Sequence, residues 1–244
     1  HLDPGLRLTF RDLLTAMITV SDNTATDMVL DRVGAGQIMT RLEAWGLKDL
    51  SVRMGVQQLF DSAFWWPDST ETMPRIYRDI VARGPLLDPF TGSIDERYLA
   101  AVQRGSNWDA IAAQRSLENN VASPRAIGEL LERLVRGDLL SHRSTGVALD
   151  IMLRQQLNRR LPLFLPPSAV IAHKTGTFYA SRNDAGILYL PDAGRVVIVT
   201  FAVLDRDRLA GDPLESVPYI DRVDGAMGRI ARSTFDAFSP EPSG

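Results

Sequence analysis

The stretch LLTAMITVSDNT, residues 13–24, decides how the first part of this chain folds, because an apolar run stops there at three small polar residues. Its apolar side chains recur at the spacing that places them on one face of a helix: Leu13, Leu14, Met17 and Ile18. Thr9 and Asp12, three residues apart, match an N-terminal capping pair. A helix is therefore predicted over residues 10–20.

The polar residues that follow predict a short turn into a second helix. Ser21, Asp22 and Asn23 bond readily to nearby backbone groups, and Asn23 is a good N-cap for the next helix. The buried face of that helix is predicted at Ala25, Met28 and Val29, before closure by Gly34 and Gly36. The triplet is thus expected to present a hydroxyl and an amide from a rigid connection between two packed helices.

The rest of the chain predicts further helices and then an antiparallel sheet. Helices are expected over residues 37–45 and 124–136, and around the apolar positions Val147, Ile151 and Leu157. Strands are expected over residues 169–178, 186–190 and 195–203. A closing helix is expected to pack Val223, Met227 and Ile230 against the sheet. Helices first and an antiparallel sheet last predict an α+β fold.

A second polar triplet, Lys174-Thr175-Gly176, follows an apolar, strand-like run over residues 169–172. An S-D-N triplet followed by K-T-G on a strand supplies two of the three parts of the signature of the penicillin-recognising serine enzymes; the third is S-x-x-K. Over most of its length the chain resembles the serine beta-lactamases, class A in particular, and the related penicillin-binding proteins. The resemblance implies a beta-lactamase/transpeptidase-like fold, in which a helical lobe packs beside an antiparallel sheet with a C-terminal helix.

The resemblance also implies catalytic roles. Ser21 would pass a proton to the leaving nitrogen of a lactam. Asn23 would hold the side-chain amide of the substrate and position the catalytic lysine, and Lys174 would supply positive potential. Asp22 is expected to be structural. The reaction implied is acyl transfer from a beta-lactam through a serine acyl-enzyme without a cofactor, and hence beta-lactam breakdown and antibiotic resistance by a secreted or periplasmic enzyme.

The substrate-binding roles fall on the strand and its neighbour. By resemblance, Thr175 would bind the substrate carboxylate, and the backbone N–H of Thr177 would form half of the oxyanion hole. Gly176 has no side chain, so a substrate can approach the strand edge closely. Arg182 is a candidate second anchor for the carboxylate or else a surface arginine.

Two parts of the family pattern are missing from residues 1–244. No serine is followed three residues later by a lysine, and Thr24 holds that place after Ser21. The simplest account is that the nucleophile lies on an N-terminal segment outside this chain. The chain is then expected to be inactive alone, and unstable unless that segment or a second chain covers it. After Arg53, residues 54–60 contain no carboxylate to activate a deacylating water.

Alternatives therefore stay open. One is a D-alanyl-D-alanine carboxypeptidase or esterase of the same superfamily, and the other is a non-catalytic binding module. Residues 61–118 are expected to be a family-atypical insertion within a domain over residues 1–238, followed by a flexible tail over residues 239–244. The aromatic cluster at residues 64–67 is either a lid or a packing anchor.

Composition limits the other classes of function. A chain of 244 residues with 45% hydrophobic content can bury a sizeable core. Its net charge of -3 argues against a nucleic-acid or anionic-membrane partner. There are no cysteines and no run of membrane-spanning length. Residues 1–5 do not resemble a signal peptide, so if the protein is exported, as the resemblance implies, its signal is expected to have been removed. The three histidines, His1, His142 and His173, lack metal-ligand spacing, so no metal site is predicted. A Ser-His-Asp hydrolase would show a G-x-S-x-G elbow, which is absent from the sequence.

Overall fold

The computed structural model describes residues 7–56, 59, 120–178, 180–192, 194–205, 208–209 and 213–239. The chain divides into two compact units, one made of His1–Ala25 and Ala122–Gly244 and the other of Thr26–Val121. The insertion predicted over residues 61–118 lies outside the described residues, and so does the predicted tail beyond Ser239.

Three helices open the described chain: α1 (Phe10–Thr19), α2 (Asn23–Val33) and α3 (Ala35–Ala44). The predicted capping pair is confirmed, because the Thr9 hydroxyl accepts from the Asp12 N–H while the Asp12 carboxylate accepts from the Thr9 N–H. Gly34, with a φ of +85°, separates α2 from α3. The prediction that Gly36 closes α2 is wrong, since Gly36 lies inside α3.

The second unit also contains the short strand β1 (Leu50–Ser51). The strand β2 (Val121–Ala122) follows the undescribed segment. Within α2, Ala25 is buried as predicted, whereas the prediction for Met28 is wrong because its side chain is exposed. Asn120 holds the chain after Arg53, since its side-chain oxygen accepts the N–H groups of Arg53 and Met54 at 2.7 and 3.1 Å.

Two further helices are α4 (Pro124–Arg136) and α5 (His142–Leu153). The bounds predicted for α4 are confirmed because its signals are local. The Ser123 hydroxyl accepts from the Ala126 N–H at 3.1 Å, and Gly137 ends the helix in the left-handed conformation. The prediction of Leu157 as a buried helical position is wrong. The helix has already ended at Leu153, and Leu157 is exposed.

The sheet has three antiparallel strands in the order β3 (Val170–Phe178), β4 (Ser181–Tyr189) and β5 (Arg195–Val203). In its register, Thr175 faces Asp184, and Gly176 faces Asn183. The first and last strands match the prediction. The middle strand begins at Ser181 instead of residue 186, because the polar residues at its start have buried partners elsewhere in the fold.

The two faces of the sheet pack against different helices. One cluster joins the sheet to α6 (Pro213–Phe238) and to a 3₁₀ helix (Leu161–Phe164): Leu161, Leu188, Ile198, Met227 and Ala231. The other cluster joins the opposite face to α4 and α5: Leu131, Met152, Ala172 and Ile187. Neighbouring residues Ile187 and Leu188 therefore enter opposite cores, as alternation along a strand requires.

These elements confirm the α+β prediction with a closing helix on the sheet. Met227 is buried as predicted, while the prediction for Ile230 is wrong because Ala231 occupies the core position and Ile230 is exposed. Within the ranges that the structure covers, none of the helices has an apolar stretch sufficient to cross a bilayer.

Candidate active site

The end of α1 holds Ser21 in a strained backbone conformation. Its φ is +59°, the only positive value at a non-glycine position in the described ranges. A left-handed conformation costs such a residue about 1–2 kcal/mol. The resulting turn lets both Val20 and Asp22 donate their N–H groups to the Ala16 carbonyl, at 3.3 and 3.2 Å. Strain of this kind clusters at functional sites.

The loop after α5 fixes this turn from the other side. The buried Gln155 side chain donates through Nε2 to the Ile18 carbonyl at 2.7 Å, and the Gln156 N–H donates to the Thr19 carbonyl at 2.9 Å. The Gln155 side-chain oxygen accepts the Gln156 N–H in turn, at 2.9 Å. Two carbonyls at the C-terminus of α1, which have no partner inside the helix, are thereby satisfied. Ser21 is consequently held at a defined position.

Ser21 faces Lys174 of β3. The Lys174 Nζ donates to the Ser21 Oγ at 2.8 Å and to the Thr175 carbonyl at 2.6 Å. Burial lowers the pKa of Lys174 from 10.5 to about 8; the Asp184 charge opposes this change and the Arg160 charge adds to it. The site thus joins a serine hydroxyl to an ammonium group that can exchange a proton near neutral pH.

The rest of the S-D-N triplet starts α2. The Asp22 carboxylate accepts the Ala25 N–H at 2.7 Å, so Asp22 is the N-cap. The prediction that Asn23 would cap the helix is wrong, since Asn23 is its first residue. The Asn23 side chain is exposed. It can therefore contact a bound molecule.

The side chains of β3 alternate between the two faces of the sheet. Lys174 and Gly176 share the face of Ala172, which packs toward α4 and α5. Thr175 and Thr177 share the opposite face with His173, and Thr175 is buried. Of the predicted site residues, Ser21 and Lys174 are therefore joined directly, while Thr175 and Thr177 project their side chains to the other face.

A buried ionic network lies on that opposite face. Arg160 and Asp224 are each only 5% exposed, and the Arg160 Nε donates to the Asp224 Oδ1 at 3.2 Å. Arg182 also binds Asp224, through Nε at 3.1 Å and through Nη2. The Arg160 Nη1 donates to the carbonyls of Gly176 and Asn183, and its Nη2 donates to the Thr177 hydroxyl. Arg182, the predicted carboxylate anchor, is therefore committed in part to Asp224.

His173 completes the polar layer beneath β3. Its Nδ1 lies 3.0 Å from the Asp184 Oδ1, and its Nε2 lies 3.1 Å from the Asn158 side-chain oxygen. The second Asp184 oxygen accepts the Leu161 N–H at 3.0 Å. Gly186 faces His173 across the strands, where an added Cβ would lie 2.7 Å from the His173 Cβ. The layer ties β3, β4 and the loop before the 3₁₀ helix together.

Sequence reasoning missed Gln155, Arg160 and Asp224. One signal was available for Asp224, which stands three residues before the buried Met227 and therefore on the apolar side of α6. Arg160 follows Arg159, and nothing local distinguishes the buried arginine from the exposed one. Among the described residues, no group of three histidine or acidic side chains could hold a metal ion.

The sheet, its closing helix and the helices on its other face define the beta-lactamase/transpeptidase fold. A solved beta-lactamase from Chitinophaga pinensis matches with a TM-score of 0.62 at 24% identity, over 94% of this chain and 65% of that chain. Residues 1–237 match the sequence model of the Beta-lactamase enzyme family, and the chain belongs to that family.

Its relatives include both enzymes and a regulator. The beta-lactamase regulatory protein BlaB of Streptomyces cacaoi is 26% identical, over 94% of this chain and 68% of its own length. A beta-lactamase of Amycolatopsis lactamdurans is 22% identical, over 85% of this chain and 52% of its own length. The chain spans 52% to 68% of these two relatives and 65% of the solved enzyme.

Proposed function

We propose that this chain carries the proton-transfer and substrate-binding part of a serine beta-lactamase-like hydrolase. Its substrate would be a beta-lactam or a related amide or ester, and the nucleophilic serine would lie outside residues 1–244. The observation that carries the proposal is the 2.8 Å hydrogen bond from Lys174 Nζ to Ser21 Oγ. Because the hydroxyl accepts from a cation, its own proton can be donated to a substrate atom.

The reaction needs a proton at the leaving nitrogen. Attack of the nucleophile's hydroxyl oxygen on the lactam carbonyl forms a C–O bond and breaks the C–N bond. The hydroxyl proton passes to a general base that would lie with the nucleophile outside residues 1–244, and Ser21 protonates the leaving nitrogen. Lys174 then returns a proton to Ser21. A pKa of about 8 suits this relay, because the ammonium form dominates at neutral pH and still releases its proton readily. Water then hydrolyses the acyl-enzyme.

Substrate recognition would use the groups around this pair. Lys174 attracts the substrate carboxylate, and the exposed Asn23 amide binds the substrate's side-chain amide. Thr175, the other residue predicted to bind that carboxylate, is buried on the opposite face of β3 and is not among the proposed contacts. Gly176 permits close approach to the edge of β3, where the Thr177 N–H serves as an oxyanion donor. Arg182 adds positive potential, although its bonds to Asp224 limit direct contact with the substrate.

A complementary segment would supply the nucleophile. In the described sheet β5 pairs on one side only, with β4. A groove of about 620 Å³ lies between β5 and α4, with a partly apolar lining that includes Gly128, Val135, Val197 and Val199. An unpaired strand edge beside an apolar groove can accept a further strand or helix. We propose that the N-terminal segment, or a second chain, binds in this groove.

The family relationship also favours export of the protein to the periplasm or the exterior.

Two observations favour other functions of the same fold. No carboxylate follows Arg53 in residues 54–60, and without a deacylating base the acyl-enzyme would persist, as in a carboxypeptidase or a penicillin-binding protein. The relationship to a protein named as a beta-lactamase regulator favours a binding module that senses a lactam without hydrolysing it.

Intact-protein mass spectrometry separates these functions. The product of the complete reading frame is exposed to benzylpenicillin and sampled over time. A transient acyl adduct is the result we expect, a lasting adduct would indicate a penicillin-binding protein, and no adduct would indicate a binding module. K174M should slow adduct formation strongly, whereas K48M, which alters an exposed lysine, is the matched control.

A further inference from the structure

The peptide between Gly176 and Thr177 is held from its carbonyl end. The Arg160 Nη1 donates to the Gly176 carbonyl oxygen at 2.8 Å and to the Asn183 carbonyl oxygen at 2.6 Å. Gly176 and Asn183 face each other on β3 and β4. In a planar trans peptide the C=O and the N–H point in opposite directions. The Thr177 N–H is therefore directed away from β4, toward the open edge of the described sheet.

Arg160 can orient this peptide because it is itself fixed at several points. Its Nε bonds Asp224 of α6, and its Nη2 bonds the Thr177 hydroxyl. The next residue, Leu161, donates its N–H to Asp184 at 3.0 Å. Gly228 lets α6 approach the Arg160 backbone closely, since a Cβ there would lie 2.9 Å from the Arg160 carbonyl oxygen. Movement of the guanidinium group would therefore break hydrogen bonds to β3, β4 and α6.

The charge of Arg160 has a second effect on the same peptide. A cation bound to a carbonyl oxygen polarises the peptide, so that its N–H becomes a stronger hydrogen-bond donor. The effect is greater in a buried site than in water, and Arg160 is 5% exposed. Arg182 shares Asp224, whereas the bond to the Gly176 carbonyl comes from Arg160, so the two arginines of the network can be separated experimentally.

We propose that Arg160 is a positioning residue that orients and polarises the Gly176–Thr177 peptide, and so presents the Thr177 N–H as a donor to the oxyanion. The oxyanion role of that N–H rests on the proposed function. The orientation and polarisation of the peptide do not depend on it, and they can be measured in the chain alone.

The sequence allows this peptide to be observed by itself. Gly176–Thr177 is the only Gly-Thr pair in the chain. A sample labelled with ¹³C at glycine carbonyls and ¹⁵N at threonine amides should therefore give a single cross-peak in an HNCO spectrum. The peak should lie downfield in both the carbonyl and the amide proton dimension. A wild-type peak at the position of a solvated peptide would overturn the proposal without any substitution.

Substitutions then test the source of the effect. R160Q should move the cross-peak upfield, R160K should restore part of the shift because it keeps a charge, and R182Q should leave the peak close to its wild-type position. Circular dichroism verifies that each variant is folded. An unmoved peak in folded R160Q, or an equal displacement in R182Q, would overturn the proposal. If R160Q does not fold, R160K is compared with R182Q. R160K should then shift the cross-peak upfield more than R182Q does, and an unmoved peak in R160K or an equal displacement in the two variants would overturn the proposal.

The catalytic consequence is measured on the product of the complete reading frame. R160K should lower kcat for acylation by benzylpenicillin on the order of tenfold, less than the hundredfold or more that loss of a whole oxyanion donor costs, with little change in KM. R159Q is the control, since the Arg159 side chain is 81% exposed. An unchanged kcat in R160K would contradict the positioning role. Absence of any wild-type adduct would contradict the proposed function and leave the spectroscopic result standing.

Discussion

Ser21 combines a strained backbone with a hydrogen-bonded hydroxyl, and substitution can separate the two properties. Its φ of +59° is accessible to glycine without the steric penalty paid by other residues. The hydroxyl accepts from Lys174, which makes it the component that the proposed chemistry needs. A role in the proposed chemistry would account for a strained residue at this position.

We predict that S21G is more stable than S21A by about 1 kcal/mol, because both remove the hydroxyl but only glycine relieves the left-handed strain. Urea unfolding of the two variants measures the difference. Both variants should lose acylation to a similar extent in the product of the complete reading frame. Equal stability of S21G and S21A would contradict the strain assigned to this residue.

Lys174 makes stability depend on pH in a defined direction. Its pKa is about 8 in the folded chain against an ordinary value of 10.5, because burial disfavours the ammonium. Between these two values the unfolded chain binds more protons than the folded chain, so stability rises with pH across that window. Below it both states are protonated, and the full cost of burying the charge is present.

We therefore predict that K174M is more stable than the wild type at pH 7, by at most about 3 kcal/mol, since each pKa unit corresponds to about 1.4 kcal/mol. The loss of the bonds to Ser21 and Thr175 reduces this gain. The advantage should shrink as the pH rises from about 8 toward 10.5. Urea unfolding at several pH values measures it, with K48M as control; a difference that is constant with pH would contradict the burial of the charge.

At the scale of elements, α6 contributes more than apolar packing. It provides Asp224, a buried carboxylate that binds arginines from the loop before the 3₁₀ helix and from β4. One side chain thus connects three elements beneath the strand that carries Lys174.

We predict that D224N lowers the free energy of unfolding by about 3–5 kcal/mol, because it leaves the buried Arg160 and the partly buried Arg182 without their shared counter-charge. The matched control lies one turn earlier on the same helix. Asp221 pairs with Arg159 at 3.2 Å at the surface, so D221N should change stability by less than about 1 kcal/mol. Thermal or urea unfolding distinguishes the two variants. A similar decrease in the free energy of unfolding in D224N and D221N would mean that the buried network contributes little to stability.

The elements that sequence predicts well are those with local signals. Caps at Thr9, Ser123 and Gly137 fix α1 and α4 because they act within three or four residues of the helix end. The start of β4 is not predicted, because polarity at residues 181–185 indicates a loop unless the partners are known. Those partners, Arg160 and Asp224, lie far along the chain.

The candidate site likewise contains some residues that a local sequence pattern predicts and others that depend on distant contacts. Each triplet is contiguous in sequence, so the family pattern alone is enough to propose Ser21 and Lys174 as a pair. The residues that hold them are scattered, and the buried role of Arg160 depends on tertiary burial that no local pattern encodes. Asp184 and His173 likewise acquire their contacts only when β3 and β4 are paired.

At the scale of the whole molecule, the groove between α4 and β5 is where we place the segment that would complete the site. We predict that the chain extended by the residues encoded upstream of His1 melts roughly 5 °C or more above the chain alone, since 1 kcal/mol corresponds to about 2–4 °C at this size. G128L tests the location. It should block the groove while leaving the chain alone no less stable, because leucine favours a helix more than glycine does.

If G128L removes the gain in melting temperature of the extended chain, the segment occupies this groove. A gain that persists in G128L would place the segment elsewhere. No gain at all would contradict the requirement for a complementary segment.

The most direct test of the central claim, that Ser21 and Lys174 form the working pair of a lactam site, is an NMR titration of the lysine side chains. The chain contains two lysines, Lys48 and Lys174, and K48M assigns their signals. We expect Lys174 to titrate with a midpoint of about 8, and benzylpenicillin to raise it, because a carboxylate beside an ammonium favours the charged form. A Lys174 midpoint near 10.5 that benzylpenicillin leaves unchanged would contradict the claim.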